Sequence, residues 1–197
     1  MLSPTPNASK GVQLRVQIKM ATTKNITADI TIVGGGLAGL TAAIGLAVHG
    51  FEVAVVDRAS KGDLTDAAYD GRSSALAFAS CQLFEALGIW DHMKPYAQPM
   101  LEIRVSDGPS LLHLHFDSEE LGDGPLGHMV ENRHTHKALF KRIRALDTIK
   151  LFMPATVSSI DRSAGDITIT LKNGETISSK LLLGIDGRAS MVRKDAG

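Results

Sequence analysis

The stretch DITIVGGGLAGLTAAIGLAVHGFEVAVVD, from Asp29 to Asp57, constrains this chain more than any other. It carries no Asp, Glu, Lys or Arg between Asp29 and Glu52. Residues 29–33 are mostly β-branched and apolar, which reads as a buried strand. Gly34-Gly35-Gly36 interrupts it, and 37–49 is rich in Ala and Leu at helical spacing and stops at Gly50. A second buried strand, 51–56, closes on Asp57. Strand, glycine turn, helix and strand within about 30 residues is the size of a βαβ unit.

A membrane span is the competing reading, since about 20 mainly apolar residues suffice to cross a bilayer. Gly35-x-x-x-Gly39 even has the spacing of a helix-dimer motif. Consecutive glycines, however, each cost about 1 kcal/mol in helix propensity. A β-branched strand follows at once, and the flanks lack the positive charge and aromatic residues of a membrane interface. The span is rejected.

Gly34-Gly35-Gly36-Leu37-Ala38-Gly39 fits G-x-G-x-x-G after a strand and at the opening of a helix. The chemistry needs glycine at three places: Gly34 for the tight turn, Gly36 for approach to a pyrophosphate, Gly39 for close helix–strand packing. The helix amino end, with Leu37 and Ala38, offers free N–H groups to phosphate. Asp57 follows at about the spacing where an acid accepts hydrogen bonds from ribose hydroxyls. A dinucleotide site follows from these residues, but the motif does not choose between NAD and FAD.

The remaining composition narrows the field. A chain of 197 residues can form one cored domain and the start of a second. Lys plus Arg equals Asp plus Glu at 21 each, so no basic field points to nucleic acid. Cys81 is the single cysteine, which excludes an internal disulfide and gives no zinc spacing; it reads as a small hydrophobe in a helix. Residues 1–28 hold four cations and no acid. They read as a disordered extension, with Met20 an alternative start, rather than as an Arg-rich transit peptide.

Downstream, 58–70 reads as a polar loop, 73–87 as a helix closed by Gly88, and 101–106 and 112–116 as strands. In the second strand Leu112, Leu114 and Phe116 share one face, while His113 and His115 share the other. Residues 132–146 read as a helix with a buried stripe (Leu139, Ile143, Leu146) and a solvated one (Lys137, Lys141, Arg144). Residues 157–160, 167–171 and 175–178 form a meander whose second turn holds Asn173-Gly174. The apolar run 181–185 suits a strand buried on both faces. His113 and His115 lack a third metal ligand nearby, and His134 and His136 point apart on their helix, so neither pair reads as a metal site. No Ser–His–Asp or paired-carboxylate arrangement is apparent.

Three downstream motifs decide the cofactor. DGRSSAL places Arg72 before the next element, VENR carries Asn132, and LLLGIDGRASMVR ends a strand in Asp186-Gly187. In this order, with a meander between the last two, they resemble the single-component FAD-dependent aromatic hydroxylases, most closely the ubiquinone-biosynthesis branch. The resemblance covers about 29–197. It implies an α/β fold: a Rossmann-like FAD-binding domain with a parallel sheet and a three-stranded antiparallel meander, plus the opening strands of a substrate domain. The implied division is 29–100 with 131–197 for FAD and 101–130 for the substrate domain.

The same resemblance implies the site. Gly34, Gly36 and Gly39 would cradle the FAD pyrophosphate, and Asp57 would hold the adenosine ribose. Arg72 would meet the FAD phosphates, Asn132 would face the flavin, and Val157 would meet the adenine through its backbone. Asp186 would serve FAD and NAD(P)H binding; Ile185 before it stands where the family has a small residue. The implied activity is NAD(P)H-dependent hydroxylation of a polyprenylated phenol with molecular oxygen, in a cytoplasmic protein with peripheral membrane or complex contacts. Because the flavin carries the chemistry, no catalytic side chain is assigned. Family members are considerably longer, so unmatched sheet edges and exposed apolar faces are expected. Two alternatives stay open: an inert FAD-binding fragment, and an isoprenoid reductase or epoxidase with the same first motif.

Overall fold

Alternation along two buried strands sets the layering. The computed structural model describes residues 24–66, 72–108, 112–122, 124–163 and 165–197. β2 (Ile30–Val33) and β3 (Val53–Val56) are buried at every position. Successive side chains of a strand point to opposite faces. Ile32, Val53 and Val55 therefore enter one core, with Leu40 and Ile44 of α1 (Leu37–Ala47) and Leu139 of α6 (Asn132–Ile143). Val33, Ala54 and Val56 enter a second core with Ile169, Leu171 and Ile177 of the meander. The parallel sheet is thus the middle layer between helices and an antiparallel sheet, as expected for the fold class.

The parallel sheet has the order β13-β2-β3-β9, with β9 at Ile149–Phe152 and β13 at Leu181–Gly184. The meander is β10 (Val157–Arg162), β11 (Ile167–Leu171) and β12 (Thr176–Ser179), and its far edge is covered by β1 (Asn25–Thr27), parallel to β12. Asn25–Thr27 falls inside the segment expected to be disordered, which corrects that boundary: Ile26 is buried in the meander core. The rest of that expectation, and the Met20 start, lies outside the described residues.

Two more expectations change. Residues 73–87 are not one helix. β4 (Ser73–Ala77) pairs antiparallel with β8 (Gly127–Glu131), and only α3 (Phe78–Ala86) is helical. Pairing with a distant strand overrides the weak local helix preference of Ser-Ser-Ala-Leu-Ala. β8 also pairs with β5 (Gln98–Met100) and runs across the expected domain boundary at 130; the short helices α4 (Trp90–Met93) and α5 (Ser118–Leu121) lie between α3 and α6 in the chain. Secondly, β13 is not buried on both faces: it is an edge strand and Leu181 is 46% exposed.

The polar loop after Asp57 also holds α2 (Lys61–Thr65), opened by a capping box in which Ser60 Oγ accepts from Asp63 N and Asp63 Oδ2 accepts from Ser60 N. Cys81 is buried in α3 as expected, and burial pushes its thiol pKa up.

β6 (Glu102–Ser106) and β7 (His113–Asp117) form a separate two-stranded ribbon. His113 and His115 are exposed, but so is the opposite face, with Leu112 at 84% and Leu114 at 64%. This is the exposed apolar surface that the resemblance led us to expect. Among the described residues, no helix is long and apolar enough to cross a membrane.

Candidate nucleotide site

The site lies at the carboxyl ends of β2, β3 and β13, where open α/β sheets bind ligands. Gly34 leaves β2 at φ +115°, a conformation that favours glycine. A Cβ there would collide with the Ile185 carbonyl. A Cβ on Gly39 would collide with the Gly34 carbonyl oxygen. Gly35 is wedged between Met153 and Asp57. Gly34 and Gly39 are required by the protein's own packing, because the atoms in the way are backbone, whereas at Gly35 the nearest atom is the flexible end of Met153. Gly36 differs: a Cβ there would meet nothing within 4 Å. Open space at that position is what a ligand approaching the turn requires.

Gly36 is also the N-cap of α1 and has no side chain to cap it. The first helical hydrogen bond runs from Leu40 N to Gly36 O, so the N–H groups of Leu37, Ala38 and Gly39 have no intrahelical acceptor. The first turn contains no acid. The geometry suits an anion such as pyrophosphate.

Asp57 lies at the end of β3 and does more than its spacing implied. Its Oδ2 accepts from Gly35 N at 2.5 Å and its Oδ1 from Ala59 N at 2.7 Å. The carboxylate therefore braces the glycine turn, and each oxygen keeps a lone pair for a ribose hydroxyl. Val157 opens β10 with its side chain buried in the second core. The chain neighbours of Asp57 and Val157, Arg58 and Thr156, help line a pocket of about 240 Å³, with Ala155, Leu171 and Lys172.

Asp186 follows β13 directly beside the turn, since Ile185 N donates to Val33 O at 2.8 Å. Only the Ile185 backbone approaches Gly34, while its side chain packs on the helical core. A large residue there does not obstruct the turn. Asp186 Oδ2 accepts from Met191 N at 2.6 Å at the head of α7 (Met191–Ala196). Its Oδ1 is buried and makes no well-formed hydrogen bond among the described residues, leaving an acceptor for a ligand hydroxyl.

Burial alone would raise the Asp186 pKa. The Ser190 hydroxyl and the N–H groups of Met191, Asp186 and Val192 outweigh it and hold the carboxyl below its ordinary value of 3.8. A depressed folded value contributes stability above the unfolded value, and this is lost as pH falls through the folded one. Acid is therefore expected to loosen α7 below about pH 4. Asp186→Asn should flatten that acid limb in a plot of unfolding midpoint against pH.

Arg72 and Asn132, far apart in sequence, are brought together by the β4–β8 ladder: Asn132 N donates to Arg72 O at 3.1 Å. Ser74 Oγ donates to Asn132 Oδ1 at 2.6 Å. Arg72 is exposed. Gly35, Arg58 and Ser74 were missed in the sequence. A spacing motif names only the strict glycines and the acid, and cross-strand partners leave no local signal.

The histidines divide as expected. His134 stacks on Tyr96 at 3.9 Å, whereas His136 Nδ1 lies 2.9 Å from Asn132 O. The fold brings His115 together with Glu102 and Asp117, the carboxylates that sequence spacing hid. That exposed cluster is already engaged. Glu102 Oε2 lies 3.2 Å from Arg104 and 3.4 Å from His115, and Asp117 Oδ1 accepts from Glu119 N.

Residues 27–197 match a protein family described as an FAD binding domain. The chain belongs to this FAD-binding family. The glycine turn, the uncapped helix end, the Asp57 carboxylate and the orphaned Asp186 oxygen all fit the group that family binds. A ubiquinone hydroxylase, UbiL, of Rhodospirillum rubrum is 43% identical over 86% of this chain. The 3-demethoxyubiquinol 3-hydroxylase of Escherichia coli is 36% identical over 88%. The chain spans 39% and 44% of the lengths of these two relatives. Among solved structures, p-nitrophenol 4-monooxygenase PnpA of Pseudomonas putida superimposes with a TM-score of 0.72 over 89% of this chain and 44% of its own, at 20% identity. The flavin-dependent monooxygenase PieE, solved with FAD and substrate, gives 0.71 over 89% and 33%, at 24% identity. At such identities the structures show the shared fold.

Proposed function

We propose that this chain is the FAD-binding portion of an NAD(P)H-using monooxygenase that hydroxylates a polyprenylated phenol in ubiquinone biosynthesis. The observation that carries this reading is the 43% identity to a ubiquinone hydroxylase across 86% of the chain. Gly34, Gly36 and Gly39 with the N–H groups of Leu37 and Ala38 hold the FAD pyrophosphate. Asp57 takes the adenosine ribose, and the backbone at Val157, beside the Arg58 pocket, takes the adenine.

Arg72 pairs with FAD phosphate through a guanidinium fork suited to that anion. Asn132 faces the flavin, and Asp186 accepts from a cofactor hydroxyl and serves NAD(P)H approach. Bound FAD would supply the redox chemistry, passing two electrons from NAD(P)H to O2 so that one oxygen atom would enter the phenol and the other would leave as water. The protein's own residues bind, orient and exclude water. Substrate-facing residues of this chain belong to the 101–130 region. A lipophilic substrate brings the protein into peripheral contact with membrane.

The exposed apolar face of β6 and β7 favours a second reading, FAD binding without turnover. Titration of the purified chain with FAD, followed by anaerobic NADPH, separates the two. The monooxygenase reading expects tight FAD retention and bleaching of the visible flavin absorbance. Retention without bleaching supports the binding-only reading, and failure to retain FAD sinks both.

A further inference from the structure

We propose that Ser74 is a positioning residue that holds the Asn132 side-chain amide with its two N–H bonds turned toward the ligand, a role resting on the reading of Asn132 as the flavin-facing position. Ser74 and Asn132 are both half-buried, and Ser74 Oγ donates to Asn132 Oδ1 at 2.6 Å. The β4–β8 register fixes the approach: Ser73 pairs with Glu131 and Ser74 with Val130, so Asn132 emerges beside Ser74 as α6 begins. The bond from Asn132 N to Arg72 O locks the backbone at the same point.

Asn132 is the first residue of α6 and Glu131 its N-cap, so the Asn132 oxygen is not held by the first-turn N–H groups. Here that oxygen is claimed by the Ser74 hydroxyl instead. An amide has one acceptor oxygen and a two-proton donor nitrogen. With the oxygen committed, the Nδ2 protons have no partner among the described residues, and the side chain presents donors alone. The oxidised isoalloxazine edge presents mainly acceptors, its carbonyl oxygens with N1 and N5, beside the N3–H donor. Without Ser74 the amide could turn over and present its oxygen, which repels those acceptors.

The test uses the ¹⁵N-labelled chain, with the Asn132 side-chain proton pair identified by its disappearance in Asn132→Asp. Without ligand, Ser74→Ala should move that pair and Ser74→Thr should leave it in place. With FAD as the probe, the pair should shift in the wild type and in Ser74→Thr. Ser74→Ala should bind FAD about fivefold more weakly, the loss of one hydrogen bond's net worth. An unchanged pair in ligand-free Ser74→Ala overturns the proposal. So does FAD shifting Gly36 and Leu37 but not the Asn132 pair. FAD moving no resonance overturns the flavin reading instead, and the ligand-free comparison still decides whether Ser74 holds the amide.

Discussion

Gly39→Ala is expected to unfold the nucleotide-binding unit rather than merely weaken a ligand. The added Cβ would collide with the Gly34 carbonyl oxygen and stand 3.7 Å from Ile32 Cγ2. The colliding oxygen is backbone, so no rotamer change relieves the contact. Either α1 lifts from β2 or the turn re-forms. Lifting α1 withdraws Leu40, Ala43 and Ile44, all fully buried, from the core they share with Ile32, Val53 and Val55. Each large aliphatic side chain so exposed forfeits about 1.5–3 kcal/mol. A destabilisation of at least about 3 kcal/mol is expected, at the severe end for one substitution. The urea midpoint should fall by more than about 1 M, given ordinary slopes of about 1–3 kcal/mol/M. A loss under about 1 kcal/mol would show that the helix does not sit this close to the turn.

Gly36→Ala is expected to do the opposite. Gly36 has φ −74° and ψ −174°, extended backbone open to any residue, and its Cβ direction is empty. Stability should stay within about 0.5 kcal/mol of the parent. FAD affinity should fall by at least about 100-fold, because the methyl group occupies the approach to the helix N–H groups that a pyrophosphate needs. Titration by flavin fluorescence, with denaturation run in parallel, reads both quantities. Unchanged affinity would mean that the phosphates do not pass this residue. The two expected outcomes divide one motif by the quantity each substitution moves, stability at Gly39 and FAD affinity at Gly36.

Much of this was legible in the sequence where the cause is local. The glycine turn, α1 and the position of Asp57 at the end of β3 read correctly because φ freedom, helical spacing and strand length leave their mark on neighbouring residues. The meander read correctly because Asn173-Gly174 marks its second turn. The resemblance named Arg72, Asn132 and Asp186 as site residues, and the fold places Asp186 beside the glycine turn and Arg72 beside Asn132. The capping box at Ser60 and Asp63 was visible in principle, as a hydroxyl followed three residues later by an acid.

The errors occur where a distant partner decides. Ser73–Ala77 reads as helix until β8 claims it. Asn25–Thr27 reads as a disordered leader until β12 offers an edge. Leu181–Gly184 reads as a central strand, but apolarity alone does not reveal that it ends the sheet. The bond from Ser74 to Asn132 joins two half-buried residues far apart in the chain, and neither has a neighbour that announces the other.

The sequence by itself determined that this chain builds a strand–glycine turn–helix–strand unit closed by an acid, because those constraints act within a few residues of backbone. Tertiary structure alone decided which glycines the protein's own packing requires and which one faces open space. It also decided that Asp57 braces the glycine turn, which its spacing did not reveal, and that Ser74 of β4 donates to the Asn132 amide oxygen at the head of α6. Each of those depends on atoms that only folding brings within contact, where a single methyl group or hydrogen bond changes the outcome.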